Sequence, residues 1–355
     1  MSYERGIAAI RLAGPAEIPH TQYITHPQWL AALRQRAGKP AADFDELLDF
    51  DFLWHTDLPA GLPGRWTDMG HGVWQPDGSD YRLPTQSPFR SLDEIFQLDP
   101  CAEYGPVDHA RQVEAYQLAH EQARKRDCVV PGGLYMSLVS FAIAAFGWEN
   151  LLAAAGTDGE RFGSVLNRWA DFLMGYVQAW AETDIEVFLT HDDMVWTAGG
   201  IFSPEFYRSF VFPNYRRYWD CIRDAGKKVL FCSDGNYTEY VVDIAAAGAE
   251  GFIFEPTTDL EYVAANYGRT HVIVGNADCR ILTFGSEEDV LAEVRRCLDV
   301  GRRCAGFFFA VGNHIPPNVP IENADACMAA YRQMRPRKGS AGQAVEQLGR
   351  DSGCG

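Results

Sequence analysis

Apolar residues in the second half of the chain gather into short runs rather than alternating with polar ones. The runs are Asp184–Thr190, Lys228–Cys232, Gly251–Phe254, His271–Gly275 and Gly306–Ala310, all rich in β-branched and aromatic residues. Runs of this length fit strands buried on both faces, as parallel strands are. Between them lie segments of helical length, Ser203–Ala225, Tyr237–Gly248, Asp259–Tyr267 and Ser286–Val300. This alternation predicts a parallel α/β sheet. Upstream, Phe52–Leu58 and Cys128–Tyr135 repeat the pattern of an apolar run with a polar or loop-like end. Pro27–Gln35, Ser91–Phe96, Ala110–Arg126, Ser137–Ala155 and Glu160–Glu182 read as helices, the last two facing a core. Arg65–Arg82, with Trp66, Trp74 and a Pro76-Asp-Gly78 turn, predicts a β-hairpin inserted over the mouth of the fold.

Polar residues follow each run directly: His191, Asp192 and Asp193; Ser233, Asp234 and Asn236; Glu255; Asn276 and Asp278; Asn313 and His314. In a (β/α)8 barrel all of them converge on the C-terminal face, where barrel active sites are built. A single (β/α)8 TIM barrel over residues 1–334, with an N-terminal extension and the inserted hairpin, fits this pattern as well as two domains would, and is the fold expected once the resemblance below is added. Residues 335–355, poor in large apolar groups, are expected to form a disordered tail.

With 355 residues, 47% of them hydrophobic, the chain can bury one large core. No apolar stretch approaches the roughly 18 residues that span a bilayer, and no basic segment leads into an apolar signal core, so a cytoplasmic location is expected. Nine cysteines form no CxxC pair, which suggests neither a disulfide framework nor a zinc ribbon. A formal charge of −17 opposes nucleic acid and acidic membranes as partners, and disfavours a polyanionic substrate unless the pocket is locally basic. The expected partner is a small-molecule substrate; a homodimer is left open.

Asp57 ends its run at His55-Thr56-Asp57 and is a site candidate by position, against the plainer role of a loop anchor or cap. Cys232 and Asp234, an i, i+2 pair at a strand end, can both point into the barrel mouth and are metal candidates with Glu255. Glu255 before Pro256 needs a cation, a donor or a site if it is buried. One of the adjacent pair Asp192 and Asp193 is expected to face away. His191, Asn276, Asp278, Asn313 and Tyr135 complete the expected substrate-binding set.

Four segments carry a resemblance: Ser203–Pro213, Cys232-Ser-Asp-Gly-Asn236, Gly275-Asn-Ala-Asp278 with Ile281-Leu282, and Gly312–Pro320 with Glu322-Asn323. In this order they resemble the uroporphyrinogen decarboxylase superfamily, covering 184–331 well and the N-terminal half loosely. The resemblance implies a (β/α)8 barrel and either decarboxylation or zinc-dependent methyl transfer with a corrinoid protein as partner. Thr56-Asp57-Leu58 stands where the decarboxylase has a Ser-Asp-Ile with its essential aspartate, so Asp57 inherits a catalytic role, with His314 and Asp193 as its expected helpers. The Arg-rich N-terminal segment that grips uroporphyrinogen carboxylates in that enzyme has no counterpart. The methyltransferases need His-x-Cys-Gly after the fifth strand and a Cys after the eighth; Cys232, Asp234 and Asn313 stand there. The leading expectation is decarboxylation of a small acid other than uroporphyrinogen. The alternatives are methyl transfer or demethylation on a divalent metal such as zinc, and a binding barrel without chemistry.

Overall fold

The computed structural model describes residues 1–56, 62–70, 72–80 and 86–337. Six parallel strands follow one another in chain order around one sheet: β1 (Gly132–Leu134), β2 (Val187–His191), β3 (Lys228–Ser233), β4 (Gly251–Phe254), β5 (Val272–Ala277) and β6 (Gly306–Val311). All six are buried along their whole length or nearly so, which is why their sequences lack polar alternation.

Two shorter staves complete the ring. The Phe309 amide donates to the Pro19 carbonyl at 2.9 Å and the Thr21 amide to Phe309 at 3.1 Å, so the segment around His20 lies parallel to β6. The Asp51 amide then donates to His20 at 3.0 Å, and Thr21 Oγ1 to Phe52 at 2.8 Å. Phe52 in turn pairs in parallel with Val129, which leads into β1. Eight staves are thus hydrogen-bonded in a closed circle, as expected for a (β/α)8 barrel.

Two apolar clusters stabilise it. The larger lies between the staves and the outer helices. The smaller fills the barrel interior with Phe52, Val129, Val187, Leu189, Leu230, Ile253, Val274 and Phe308. Helix α1 (Tyr3–Ile10) adds Ile7, Ala9 and Ile10 to this interior and plugs the end opposite the site. The fit is close: a Cβ at Gly306 would stand 2.2 Å from the Ala9 carbonyl oxygen, so only glycine allows the approach. No expected helix covered these residues.

Three expectations change. The described part of 65–82 contains no strand; it is a loop turned at Pro76–Gly78, where Asp77 Oδ1 accepts from the Ser79 amide and hydroxyl. The Thr67 amide donates to Ala144, so this backbone is spent on a neighbouring helix rather than on a partner strand. That helix, α2 (Val139–Thr157), is long and apolar enough to cross a membrane, contrary to the sequence reading. Its composition is explained by burial against α3 (Gly159–Ala181), with a break in helical geometry at Gly147. Of the expected tail, 338–355 lie outside the described residues, while Arg335 and Arg337 bond back to Ile18 and Ala16 at 2.9 Å. The eight described cysteines are unpaired.

The N-terminal seam contains a buried imidazole. His20 Nε2 donates to the carbonyls of Leu48 and Asp49 at 3.0 and 3.1 Å. Burial pushes its pKa down from 6.5 to about 3, against the upward pull of those two carbonyls. Between these values the unfolded chain holds the extra proton, so stability falls as pH falls from 6.5. We expect urea unfolding at pH 5 to show about 2 kcal/mol less stability through this group than at pH 7.5. His20→Leu should be less stable at pH 7.5 yet lose correspondingly less on acidification; an unchanged pH slope in the variant would contradict this.

Candidate active site

Side-chain alternation at the end of β2 builds the centre of the site. Thr190 faces outward and accepts from Trp219 Nε1 at 3.1 Å, which turns His191 inward. Asp192 faces outward again and Asp193 inward. Asp192 has no exposed surface. It accepts from the amides of Leu138, Val139 and Ser140 at 3.0, 2.9 and 2.6 Å, and from the Tyr215 hydroxyl at 2.5 Å. A carboxylate at the first turn of α2 answers both the free amides and the positive end of the helix dipole. The Asp193 amide donates to the Ser140 hydroxyl at 2.8 Å, which fixes the next residue.

The inward residues meet those of the neighbouring staves. His191 is in register with Cys232 on β3, and Asp234 follows β3 by one residue. His191 Nδ1 lies 2.6 Å from the Tyr135 carbonyl, so Nδ1 carries the hydrogen and Nε2 faces Asp193 Oδ1 at 3.4 Å. The Tyr135 ring stacks on the imidazole with centroids 4.7 Å apart. The Asp234 amide donates to Asp193 at 3.0 Å. Asn313 Nδ2 reaches Asp234 at 2.8 Å and Glu255 at 3.2 Å, and the Gly235 amide donates to Glu255 at 2.6 Å.

These groups floor a cavity of about 900 Å³. Its walls include Tyr23, Trp54, Trp74 and Trp148, none of them expected from sequence, although the two aromatic-rich segments around Trp54 and Trp74 were visible there. Asp80 from the 72–80 loop also lines it. His314 lies on the wall, 4.7 Å from the Trp74 ring centre, with Nδ1 against Asn313 Oδ1. Among the described residues no Lys or Arg lines the cavity. Arg65 is held by Glu94 and Glu103 and lies over the Phe89 ring, and Arg90 is exposed outside the cavity.

Burial and crowded charge set the protonation. Burial, then Asp193 and Glu255, push the Asp234 carboxyl well above the usual carboxylate range, with His191 and Asn313 pulling the other way. Burial opposes a charge on His191, but Asp193 and Asp234 together raise its pKa. The Cys232 thiol is driven far up by burial and by Asp234, Asp193 and Glu255. Burial lowers His314, with Asp80 opposing.

Among the expected site residues, the cavity takes in Tyr135, His191, Asp193, Cys232, Asp234, Glu255, Asn313 and His314. Asp57 lies outside the described residues. Asn276 and Asp278 do not reach the cavity. Asn276 is buried behind the sheet, bonded to Arg296 of α5 (Glu287–Gly301) at 3.1 Å, and Asp278 caps Cys279–Phe284 and pairs with Arg280 at 2.6 Å. Of the expected metal candidates Cys232, Asp234 and Glu255, all three line the cavity. Among the described residues, the three whose ligand atoms all lie within 4.8 Å of one another are His191, Asp193 and Asp234.

A family model described as uroporphyrinogen decarboxylase (URO-D) matches residues 65–334. The chain belongs to the uroporphyrinogen decarboxylase family. Among its relatives in this family, the uroporphyrinogen decarboxylase of Syntrophotalea carbinolica is 28% identical over 267 residues, 69% of this chain and 75% of the relative. That of Xanthomonas axonopodis pv. citri is 30% identical over 183 residues, 49% of this chain and 50% of the relative. A methyltransferase from Methanosarcina mazei shares the fold, with a TM-score of 0.64 and 18% identity over 94% of this chain and 99% of that one. The URO-D match begins at Arg65, so the first 64 residues, which supply α1, two staves, Tyr23 and Trp54, stand before it.

Removing the buried anchor should be costly. Asp192→Asn places an amide N–H₂ against backbone donors, and we expect roughly 2–4 kcal/mol lost in urea unfolding. Asp193→Asn, one residue on but lining the cavity, should shift stability by no more than about 0.5 kcal/mol. Equal losses in the two variants would contradict the assignment.

Proposed function

We propose that this URO-D-family enzyme removes or transfers a methyl group on a small uncharged or cationic molecule, with a reduced corrinoid as the methyl acceptor. The observation that carries the reading is the cavity lining: Asp193, Asp234 and Glu255 on the floor, rings that include Tyr23, Trp54, Trp74 and Trp148 on the walls, and no Lys or Arg among the described residues. A polycarboxylate brought into this space would meet like charge, with no guanidinium or ammonium among the described lining residues to balance it. A flat or methylated neutral group would instead find ring faces on Tyr23, Trp54 and Trp74, and a cationic one would gain attraction from both rings and carboxylates. In the step itself the bond from the methyl carbon to the substrate heteroatom would break with its electron pair staying on the heteroatom, which takes up a proton from solvent where the substrate is uncharged and needs none where it is cationic. A reduced corrinoid, as the acceptor, would supply the electron pair that takes up the methyl group. The chain's own part is to hold the substrate against the rings and keep water out of the closed end.

The thiolate zinc set of the superfamily's methyltransferases does not fit here. The residue two places after β6, where that set has a Cys, is Asn313, already shared between Asp234 and Glu255. A second reading, decarboxylation of a small acid, is favoured by the match to curated decarboxylases and by His314 on the cavity wall.

The test is to incubate the full chain with Co(I) corrinoid and a panel of methyl ethers, methylamines and methyl thioethers, alongside uroporphyrinogen and small carboxylic acids. We expect methyl–cobalt absorbance with a member of the first group and no CO₂ from uroporphyrinogen. CO₂ release from an acid without methyl transfer would favour the second reading instead. Trp74→Ala should raise KM about five- to tenfold with a smaller change in kcat, the loss of about 1 kcal/mol of ring contact.

A further inference from the structure

The residues at the ends of β2 and β3 point to a ligand outside the superfamily's thiolate pattern. We propose that His191, Asp193 and Asp234 form a binding site for one divalent metal ion with nitrogen and oxygen ligands only. The site deepens the functional reading above, since it lies in the same cavity, but its test reads metal content rather than turnover.

Three independent features support it. The first is spacing. Bonds of about 2.0–2.2 Å to a tetrahedral ion separate neighbouring donor atoms by about 3.3–3.6 Å. His191 Nε2 and Asp193 Oδ1 stand 3.4 Å apart, and all three donor atoms fall within 4.8 Å of one another. The second is orientation. A histidine that ligates through one nitrogen normally donates the other N–H to a carbonyl or carboxylate, which fixes the tautomer. His191 Nδ1 does so to the Tyr135 carbonyl at 2.6 Å, and the stacked Tyr135 ring holds the imidazole plane. The remaining nitrogen is the one aimed at the carboxylates. The third is charge. Asp193, Asp234 and Glu255 share the cavity floor, no Lys or Arg reaches it among the described residues, and Asn313 supplies only amide dipoles. A divalent ion with one neutral imidazole and two carboxylates makes a neutral centre, which suits carboxyl groups crowded on one floor.

Three protein ligands would leave an open position toward the aromatic walls, the arrangement of catalytic rather than structural metal sites. A donor set of one imidazole and two carboxylates suits Zn²⁺, Co²⁺ or Mn²⁺ and has no need of thiolate. Cys232, though adjacent in register to His191, is not a ligand in this arrangement.

The experiment uses the full chain stripped with chelator and titrated with Co²⁺ alone, followed by visible absorption and by elemental analysis after desalting. We expect one equivalent bound, with ligand-field bands and no thiolate-to-cobalt charge-transfer band. His191→Gln, Asp193→Asn and Asp234→Asn should each weaken binding at least about tenfold. Cys232→Ser should leave affinity within about threefold. Circular dichroism of each variant separates loss of the site from loss of the fold, and the wild-type titration stands without any variant. Failure of the wild type to retain Co²⁺, a thiolate band, or loss of binding in Cys232→Ser would each overturn the proposal. A metal-binding chain inactive in methyl transfer would refute the functional reading and leave the metal site standing; methyl transfer by a chain that binds no metal would do the reverse.

Discussion

A carboxyl group without contact with water must have its hydration replaced by donors, and Asp192 collects four of them. Three belong to the first turn of the helix that follows β1, and the fourth is a tyrosine on α4 (Phe212–Asp224), the helix between β2 and β3. One side chain therefore ties the end of β2 to two helices on different sides of it. Because neighbouring side chains along an extended segment alternate, fixing Asp192 outward fixes His191 and Asp193 inward. The direction of the candidate ligands thus follows from a hydrogen-bond requirement outside the cavity.

The cavity inverts the usual logic for an anionic substrate. Proteins that hold several carboxylates of a ligand surround them with guanidinium groups, whereas here the protein supplies the carboxylates itself. Such a floor is unfavourable unless something positive completes it. Asn313, in a left-handed backbone conformation, places its amide between two of the acids and eases the repulsion without removing it. Aromatic walls above the acids exclude water and strengthen whatever electrostatic interaction forms below.

Much of the barrel is legible in the sequence because parallel strands buried on both faces leave an unbroken apolar signature, and β3, β4 and β6 fall within a residue of the runs that mark them. The stave at Phe52 opens the apolar run that marks it, whereas the one at His20 makes only an isolated bridge and no apolar run marks it. Helix α1 is short and opens on Ser2, which accepts from the Arg5 amide, a capping signal that could have been found. For the site, position after a strand is a good guide but not a sufficient one. Asn276 and Asp278 satisfy the pattern and yet turn toward Arg296 and Arg280, because a guanidinium within reach outbids solvent for a polar side chain near a helix. Which of two adjacent acids faces inward, and which acids meet a histidine from another stave, depend on register between segments some 40 residues apart in sequence, as in the bond from the Asp234 amide to Asp193.

The seam that closes the ring has a consequence for how such a barrel can change its ligand. Tyr23 and Trp54, two of the rings that wall the cavity, sit on the same segments whose hydrogen bonds to Phe309 and Val129 complete the circle. Reshaping that wall means altering residues beside the joint, where any shift in backbone is passed directly to the closure. Trp74 stands on a loop whose described residues contribute no stave, and it meets the seam through side chains, its Nε1–H donating to the Tyr23 hydroxyl at 2.7 Å. New substrate preferences are therefore more accessible through the loop than through the seam, and a lineage diverging in chemistry would leave its trace first in residues 72–80.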